Sequence, residues 1–386
     1  MNSESCRGNK AIQKKTKIVH VIVGLGVGGA ERLLESLIAR SDGSIFEHEV
    51  ITLTSTGEMG NLLANSGVRV IEFGLPSLTR ATSNFSEVRS SLKSADVVHS
   101  WMYHANVIGG ALTPVGKPLL WSFHATELEK KSTKIHTRLF VYLCKVLSQY
   151  MPTFSVYCSS SSREYHNILR YDTRNSCIIN NGVDVERFKP APKDRHSTRA
   201  ALGLDGKFVI GSVSRWHPQK DHMTLLRAFS EVRKKVDNLH LVLCGAGLSS
   251  TNRELVAVIE KLGLRQHISL LGPQADVQKI LVGLDVFAFS SAFGEALPLA
   301  LCEAMACGVP AIVTDVGECS AVVGRAGWVV QPRDVAAFAR ALFDAWSADV
   351  LVRRRIAEAA RLRIVSDYDI RAVATQYGDL YSKLCA

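Results

Sequence analysis

Short apolar runs alternate with amphipathic, helix-period stretches from one end of this chain to the other, and that alternation limits the fold more than any other feature. Seven runs come first: Lys17–Val23, His48–Thr54, Val68–Phe73, Asp96–His99, Leu119–Phe123, Phe154–Cys158 and Ser176–Ile179. Six follow: Phe208–Val213, Leu239–Cys244, Ile268–Leu271, Val286–Phe289, Val309–Val313 and Trp328–Val330. Strands separated by helices pair in parallel, so the pattern predicts α/β domains. At 386 residues the chain is long for one core and suits two. The expected division is a basic N-terminal extension (1–16), an N-terminal Rossmann-like domain (17–190), a C-terminal Rossmann-like domain (191–365) and a last helix (366–386) returning to the first domain. The linker falls in Asn180–Ser197, where Pro190 and Pro192 are expected to stop regular structure.

Charge narrows the partners. A net charge of +10 favours anions, and without a finger, RNP-like or aromatic-interleaved basic motif nucleic acid is not the expected one. A phosphorylated substrate or an anionic membrane surface fits better. No run of about 18 apolar residues predicts a transmembrane helix, and the basic N-terminus lacks a signal-peptide core. The expected location is cytoplasmic, including a peripheral position on the inner face of the cytoplasmic membrane. Nine cysteines with no C-x-x-C pair suggest neither zinc nor a redox motif, but reduced, mostly buried thiols.

The chemistry concentrates between Ser290 and Ala311. Glu295 and Glu303 are the two charges of an otherwise apolar segment, and charge in such a setting needs a partner. Pro298 suits the first turn of a helix reaching Ala306, and Gly308 ends it. Glu295 then lies in a strand-to-helix loop and Glu303 about one and a half turns into the helix. A helix start at a strand end suits phosphate, and carboxylates beside it suit sugar hydroxyls, which points to a nucleotide-sugar site.

Other segments point to the same crevice. Gly24-Leu25-Gly26-Val27-Gly28-Gly29 follows the first strand, but no acidic residue ends the second strand to hold a dinucleotide ribose, so a nicotinamide site is disfavoured. A glycine turn beside a diphosphate and a structural tight turn both stay open. His124 stands just beyond the fifth strand. His99 and His104 are expected on the acceptor side. Arg215 and Lys220 follow the first strand of the second half, where a guanidinium fork and an ammonium close on a diphosphate. Asp367-Tyr368-Asp369 matches a metal-binding D-x-D, but beside the last helix it reads as a cap, and no metal is assigned. Two readings of Leu128–Tyr150 remain. Its apolar residues (Ile135, Leu139, Tyr142, Leu143, Val146, Leu147) form a core face, or with Lys130, Lys131, Lys134, Arg138 and Lys145 they rest on anionic lipid.

Gly28-Gly29-Ala30-Glu31-Arg32, Asn181-Gly182-Val183-Asp184 with Arg187-Phe188, Arg215 with Lys220, Gly245-Ala246-Gly247 and the Glu295–Glu303 segment together resemble the retaining glycosyltransferases of family 4. The resemblance spans roughly residues 17–385. It implies the GT-B fold, two Rossmann-like domains facing across a cleft, and transfer from a nucleotide-sugar (UDP- or GDP-sugar) without a cofactor or catalytic metal. It further implies that Arg215 and Lys220 neutralise the diphosphate, Glu295 contacts the sugar and Glu303 the ribose. Gly28, Gly29, Gly245 and the amides of Ala296, Leu297 and Leu299 would border the donor, with His124 near its sugar. The expected acceptor is lipid-linked or a glycan, in cell-surface polysaccharide (O-antigen or capsule-like) synthesis. The alternatives are a nucleotide-sugar epimerase of the same fold, or a non-catalytic membrane- or polysaccharide-binding protein.

Overall fold

The computed structural model describes residues 14–26, 28–75, 77–126 and 135–386. Every apolar run is a strand: β1 (Thr16–Ile22), β2 (Phe46–Thr52), β3 (Arg69–Glu72), β4 (Val97–Trp101), β5 (Leu119–Phe123), β6 (Phe154–Tyr157), β7 (Ser176–Ile178), β8 (Phe208–Val213), β9 (Leu239–Cys244), β10 (Ile268–Gly272), β11 (Val286–Phe289), β12 (Ala311–Thr314) and β13 (Gly327–Val330). They form two parallel sheets, ordered β3-β2-β1-β4-β5-β6-β7 and β10-β9-β8-β11-β12-β13. Helices cover both faces, which is why β4 and β5 are buried at every position and read as unbroken apolar runs rather than alternating ones.

Strand order reverses beside β1 and β4 in the first sheet and beside β8 and β11 in the second. The loops leaving these strands splay apart and open a crevice at the carboxyl edge of each sheet. The crevices face each other. A Cβ on Gly29 would stand 3.9 Å from Leu299 Cδ1, Arg32 Nη1 lies 3.7 Å from Glu303 Oε1, and the Ser161 N–H donates to Glu318 Oε1 at 2.7 Å. This is the two-lobed GT-B arrangement.

The last helix, Ile370–Cys385, returns to the first lobe, burying Val373, Tyr377 and Tyr381 against Ile18, Leu34 and Leu37. On its way it crosses the outgoing linker: the Val183 N–H donates to Tyr368 O (2.8 Å) and the Ile370 N–H to Val183 O (3.0 Å). Only glycine fits beside this crossing, since a Cβ on Gly182 would stand 2.6 Å from Ile370 Cα. Asp369 accepts the Arg371 N–H at 2.9 Å and caps the helix. Asp367 ends the preceding helix, Val350–Asp367.

Three sequence expectations change. Pro192 starts a helix, Pro192–Ala201, rather than stopping structure, because proline fits a first turn whose N–H has no partner to lose. Arg195 and Arg199 of that helix clamp Asp285 at 2.5 and 3.0 Å and tie it to the second lobe. His99 does not line a cleft. It is fully buried under the last helix, with Nδ1 2.8 Å from Tyr381 Oη and Nε2 against Ser122 Oγ, because alternate β4 residues face opposite sides of the sheet. His104 packs its ring 4.3 Å from Phe140.

The third change concerns the basic helix, described over Ile135–Leu147. Residues 127–134, with Lys130, Lys131 and Lys134, lie outside the described residues, as does the basic extension through residue 13. Of the expected stripe, Leu147 joins the core face and four residues do not. Phe140, Val141, Cys144 and Leu147 pack inward, while Ile135, Leu139, Tyr142 and Val146 point to solvent with 83, 54, 60 and 42 % of their surface exposed. Both faces are apolar, so periodicity alone names two stripes, and contact with the helix Met102–Leu112 decides which is buried. Among the described residues no helix is long and apolar enough to cross a membrane.

Candidate active site

The second lobe supplies the densest constellation. After β8 the chain turns through Ser214–His217 into a short 3-10 turn, Pro218–Lys220, and Asp221 then caps the helix His222–Arg233 through its bond from the Thr224 N–H. Asp221 sits at φ +41, a left-handed conformation that turns the chain sharply after Lys220. The Lys220 Nζ lies 2.5 Å from Glu295 Oε1 and 4.7 Å from the Phe289 ring centre. Ser291 Oγ donates to the same carboxylate oxygen at 2.7 Å. The half-buried Lys220 and the buried Glu295 therefore form a pair that fixes both side chains, not two independent groups. An ammonium has three donors, so Lys220 can hold Glu295 and still offer N–H groups to a phosphate. Arg215 is exposed, with Nη2 3.3 Å from Gln219 Oε1, and is free to swing as a second cation.

Glycines set the backbone here. A Cβ on Gly317 (φ +54) would overlap Glu295 O at 1.6 Å, and a Cβ on Gly245 (φ +136) would meet Ser214 O at 2.0 Å. The Glu318 N–H donates to that same Glu295 carbonyl at 3.2 Å. Ala296 and Leu297 follow, both buried, and Pro298 precedes the helix Leu299–Ala306. Glu303 projects from that helix toward the opposite lobe. Burial pushes its carboxyl above the ordinary range, while Arg32 and Arg187 pull it back down.

On the first lobe, Gly28 and Gly29 start the helix Gly29–Arg40. The Glu31 carboxylate closes against Gly28, where a Cβ would stand 2.2 Å from Oε2, and burial raises its pKa. One turn on, Arg32 reaches Glu303. His124 leaves β5 with its N–H on Met102 Sδ at 3.3 Å. Met102 itself holds φ +70 at the end of β4, a strained position for a residue with a side chain. The His124 ring stacks on Trp101 at 5.1 Å and 8°, and its Nδ1 lies 3.0 Å from Asn181 Oδ1. Burial lowers its pKa to about 4, partly opposed by the Asn181 bond, so the ring is neutral near pH 7.

The structure thus gathers Lys220, Glu295, Ala296 and Leu297 in one lobe's crevice, sets Glu303 against the other lobe, and puts Gly28, Gly29 and His124 on the first lobe's carboxyl edge. Sequence reasoning placed Arg32, Asn181 and Ser291 in its motifs without giving them a role, and missed Gly317 and Glu318. The signal for Arg32 was its place one helical turn beyond Gly28. For Gly317 no local signal exists, because the backbone that crowds it comes from residues more than twenty positions away.

Residues 27–187 match the model of Glycosyltransferase Family 4, and residues 207–348 match that of Glycosyl transferases group 1. Over 96 % of its length the chain is 26 % identical to 98 % of an Escherichia coli UDP-Gal:alpha-D-GlcNAc-diphosphoundecaprenol alpha-1,3-galactosyltransferase. It is 32 % identical to a D-inositol 3-phosphate glycosyltransferase of Rhodococcus erythropolis over 53 % of this chain and 48 % of that one. Among solved structures, Anabaena HepE in complex with UDP-glucose superposes with a TM-score of 0.84 at 22 % identity, covering 95 % of this chain and 99 % of that one.

Proposed function

Since the chain belongs to family 4 of the glycosyltransferases, we propose that it moves a sugar, with retention of anomeric configuration, from a nucleotide-sugar to a lipid-linked glycan acceptor. The observation that carries this reading is the Lys220–Glu295 pair: a cation and a carboxylate locked 2.5 Å apart, with Arg215 on the same loop. Departure of a nucleoside diphosphate builds negative charge on its phosphates. Lys220, already oriented by Glu295, meets that charge without reorganising, and Arg215 swings in from the same loop as a second cation. The Glu295 oxygens accept from hydroxyls of the transferred sugar, and Glu303 accepts from the ribose. The acceptor hydroxyl enters on the face that the diphosphate leaves, which gives retention. No cofactor or metal is assigned to this chemistry.

A lipid-linked acceptor is supported by the likeness to a transferase whose name specifies a diphosphoundecaprenol substrate, and by the helix Ile135–Leu147. Its four outward apolar side chains lie on one face, flanked by Arg138 and Lys145, with no acidic residue on the helix. Apolar side chains beside cations suit an anionic bilayer. Against a second copy of the chain the same face would set cation near cation. This reading puts the enzyme on the inner face of the cytoplasmic membrane, in cell-surface polysaccharide assembly.

The test is transfer from UDP- and GDP-sugars to a polyprenyl-diphosphate glycan in vesicles containing phosphatidylglycerol, with the product's anomeric configuration read by NMR. Leu139→Glu with Tyr142→Glu is expected to abolish vesicle co-sedimentation and lower transfer to the vesicle-borne acceptor at least tenfold, with transfer to a short-chain soluble acceptor unchanged. Equal transfer by both proteins would remove the membrane part of the reading. Turnover of the nucleotide-sugar to an isomer without acceptor would replace transfer by epimerisation.

A further inference from the structure

The Asn181–Asp184 segment ties the linker to the returning chain through Gly182 and Val183. Its first residue does something specific. Asn181 stands where the outgoing linker meets the returning chain, two residues before the Val183–Asp369 bridge, and it is buried at 5 % exposure. An amide oxygen can only accept, so the bond between His124 Nδ1 and Asn181 Oδ1 requires the proton on Nδ1. In a neutral ring Nε2 is then a bare acceptor. That atom is buried and has no hydrogen-bond partner among the described residues, an arrangement that native structures usually keep for a reason. The Trp101 ring stacked on the imidazole prevents it from tilting away.

We propose that Asn181 is a positioning residue that fixes the Nδ1–H tautomer of His124, so that Nε2 accepts a hydrogen bond from a hydroxyl of the bound donor sugar. The assignment rests on the function proposed above for what occupies the crevice, but the tautomer does not. It also gives the crossing a consequence for chemistry. Gly182 and Val183 are locked to Ile370 and Tyr368, so the residue that orients His124 is held by both connections between the lobes.

Among the described residues the titratable group coupled to His124 is His99, which also stacks on Trp101 and which burial keeps well below its ordinary pKa and therefore also neutral. Asn181→Asp keeps the acceptor but stabilises an imidazolium, whose Nε2–H donates where the neutral ring accepts. Sugar transfer by this variant is expected to lose activity as pH falls through a midpoint at least one unit above that of the native enzyme, and to recover at high pH to within about threefold. Asn181→Ala is expected to lower kcat/KM at least tenfold at every pH, with no upward shift of the acid limb, since loss of the Asn181 bond lowers the His124 pKa further.

Nitrogen-15 NMR of histidine-labelled native protein, with His124 assigned through His124→Gln, reads the tautomer without any substrate. An Nδ1–H signal is expected, and it should be lost or mixed in Asn181→Ala. An Nε2–H tautomer in the native protein overturns the proposal even if the enzyme proves to be a sugar transferase. So does an Asn181→Asp profile that coincides with the native one. If the tautomer is as stated but no nucleotide-sugar is turned over, the functional reading fails and the positioning role of Asn181 stands.

Discussion

Lys220→Ala is expected to lower turnover by about 10²–10³-fold, the scale on which removing one preorganised electrostatic contact acts. It is also expected to cost stability, because Glu295 is left buried with Ser291 Oγ as its remaining side-chain partner among the described residues. The two effects separate with companion variants. Arg215→Ala removes an exposed side chain that bonds Gln219, so it is expected to lower turnover at least tenfold with the melting temperature almost unchanged. Lys220→Met with Glu295→Gln removes both charges together and is expected to recover most of the stability without the turnover. Steady-state rates beside thermal melts check all three. Near-native turnover in folded Lys220→Ala would remove that side chain from the chemistry.

Gly317→Ala is expected to be nearly as damaging, although residue 317 offers no side chain to a ligand. The left-handed backbone alone costs about 1 kcal/mol for a residue with a Cβ. The larger problem is the 1.6 Å approach to the Glu295 carbonyl, which no rotamer relieves. The strand-to-helix loop has to move, and it carries Glu295 with it. A misplacement of about 1 Å in a catalytic array is worth roughly 10²-fold in rate, so a loss of that order is expected while the circular-dichroism spectrum stays native. Gly206→Ala is the control. Its φ of +72 imposes the same backbone penalty, but nothing lies within 4 Å of the added Cβ, so it should lose a similar increment of stability and no activity. Equal rates for both variants would mean that the Gly317 contact does not set the site.

The fold was readable in the sequence because parallel strands covered on both faces leave an unbroken apolar signature, and all of the marked runs became strands. The return of the last helix was readable from its position after a complete second domain. The Ile135–Leu147 helix was not, because it is apolar on two opposite faces and only its neighbours select the buried one. His99 was misread for a related reason: a strand end gives the edge of the sheet but not the face on which a side chain lies. Within the site, the types and order of Arg215, Lys220, Glu295 and Glu303 could be listed from sequence. Their pairing could not, since Lys220 and Glu295 are 75 positions apart and meet only through the β8–β11 adjacency. Arg32 facing Glu303 and Glu318 on the Ser161 amide depend on how one lobe sits against the other, and Asn181 on His124 depends on where the linker leaves the first lobe.

The proposed chemistry requires that the crevice between the lobes hold a nucleoside diphosphate sugar, and thermal-shift titration with UDP-, GDP- and ADP-sugars measures that directly. A ligand at one hundred times its Kd stabilises the folded state by about 2.7 kcal/mol. One of the UDP- or GDP-sugars is therefore predicted to raise the melting temperature of the native protein in a saturable way, with the shift much reduced in Arg215→Ala and Glu303→Ala. A native protein indifferent to every nucleotide-sugar, or variants that respond as strongly as the native chain, would contradict it.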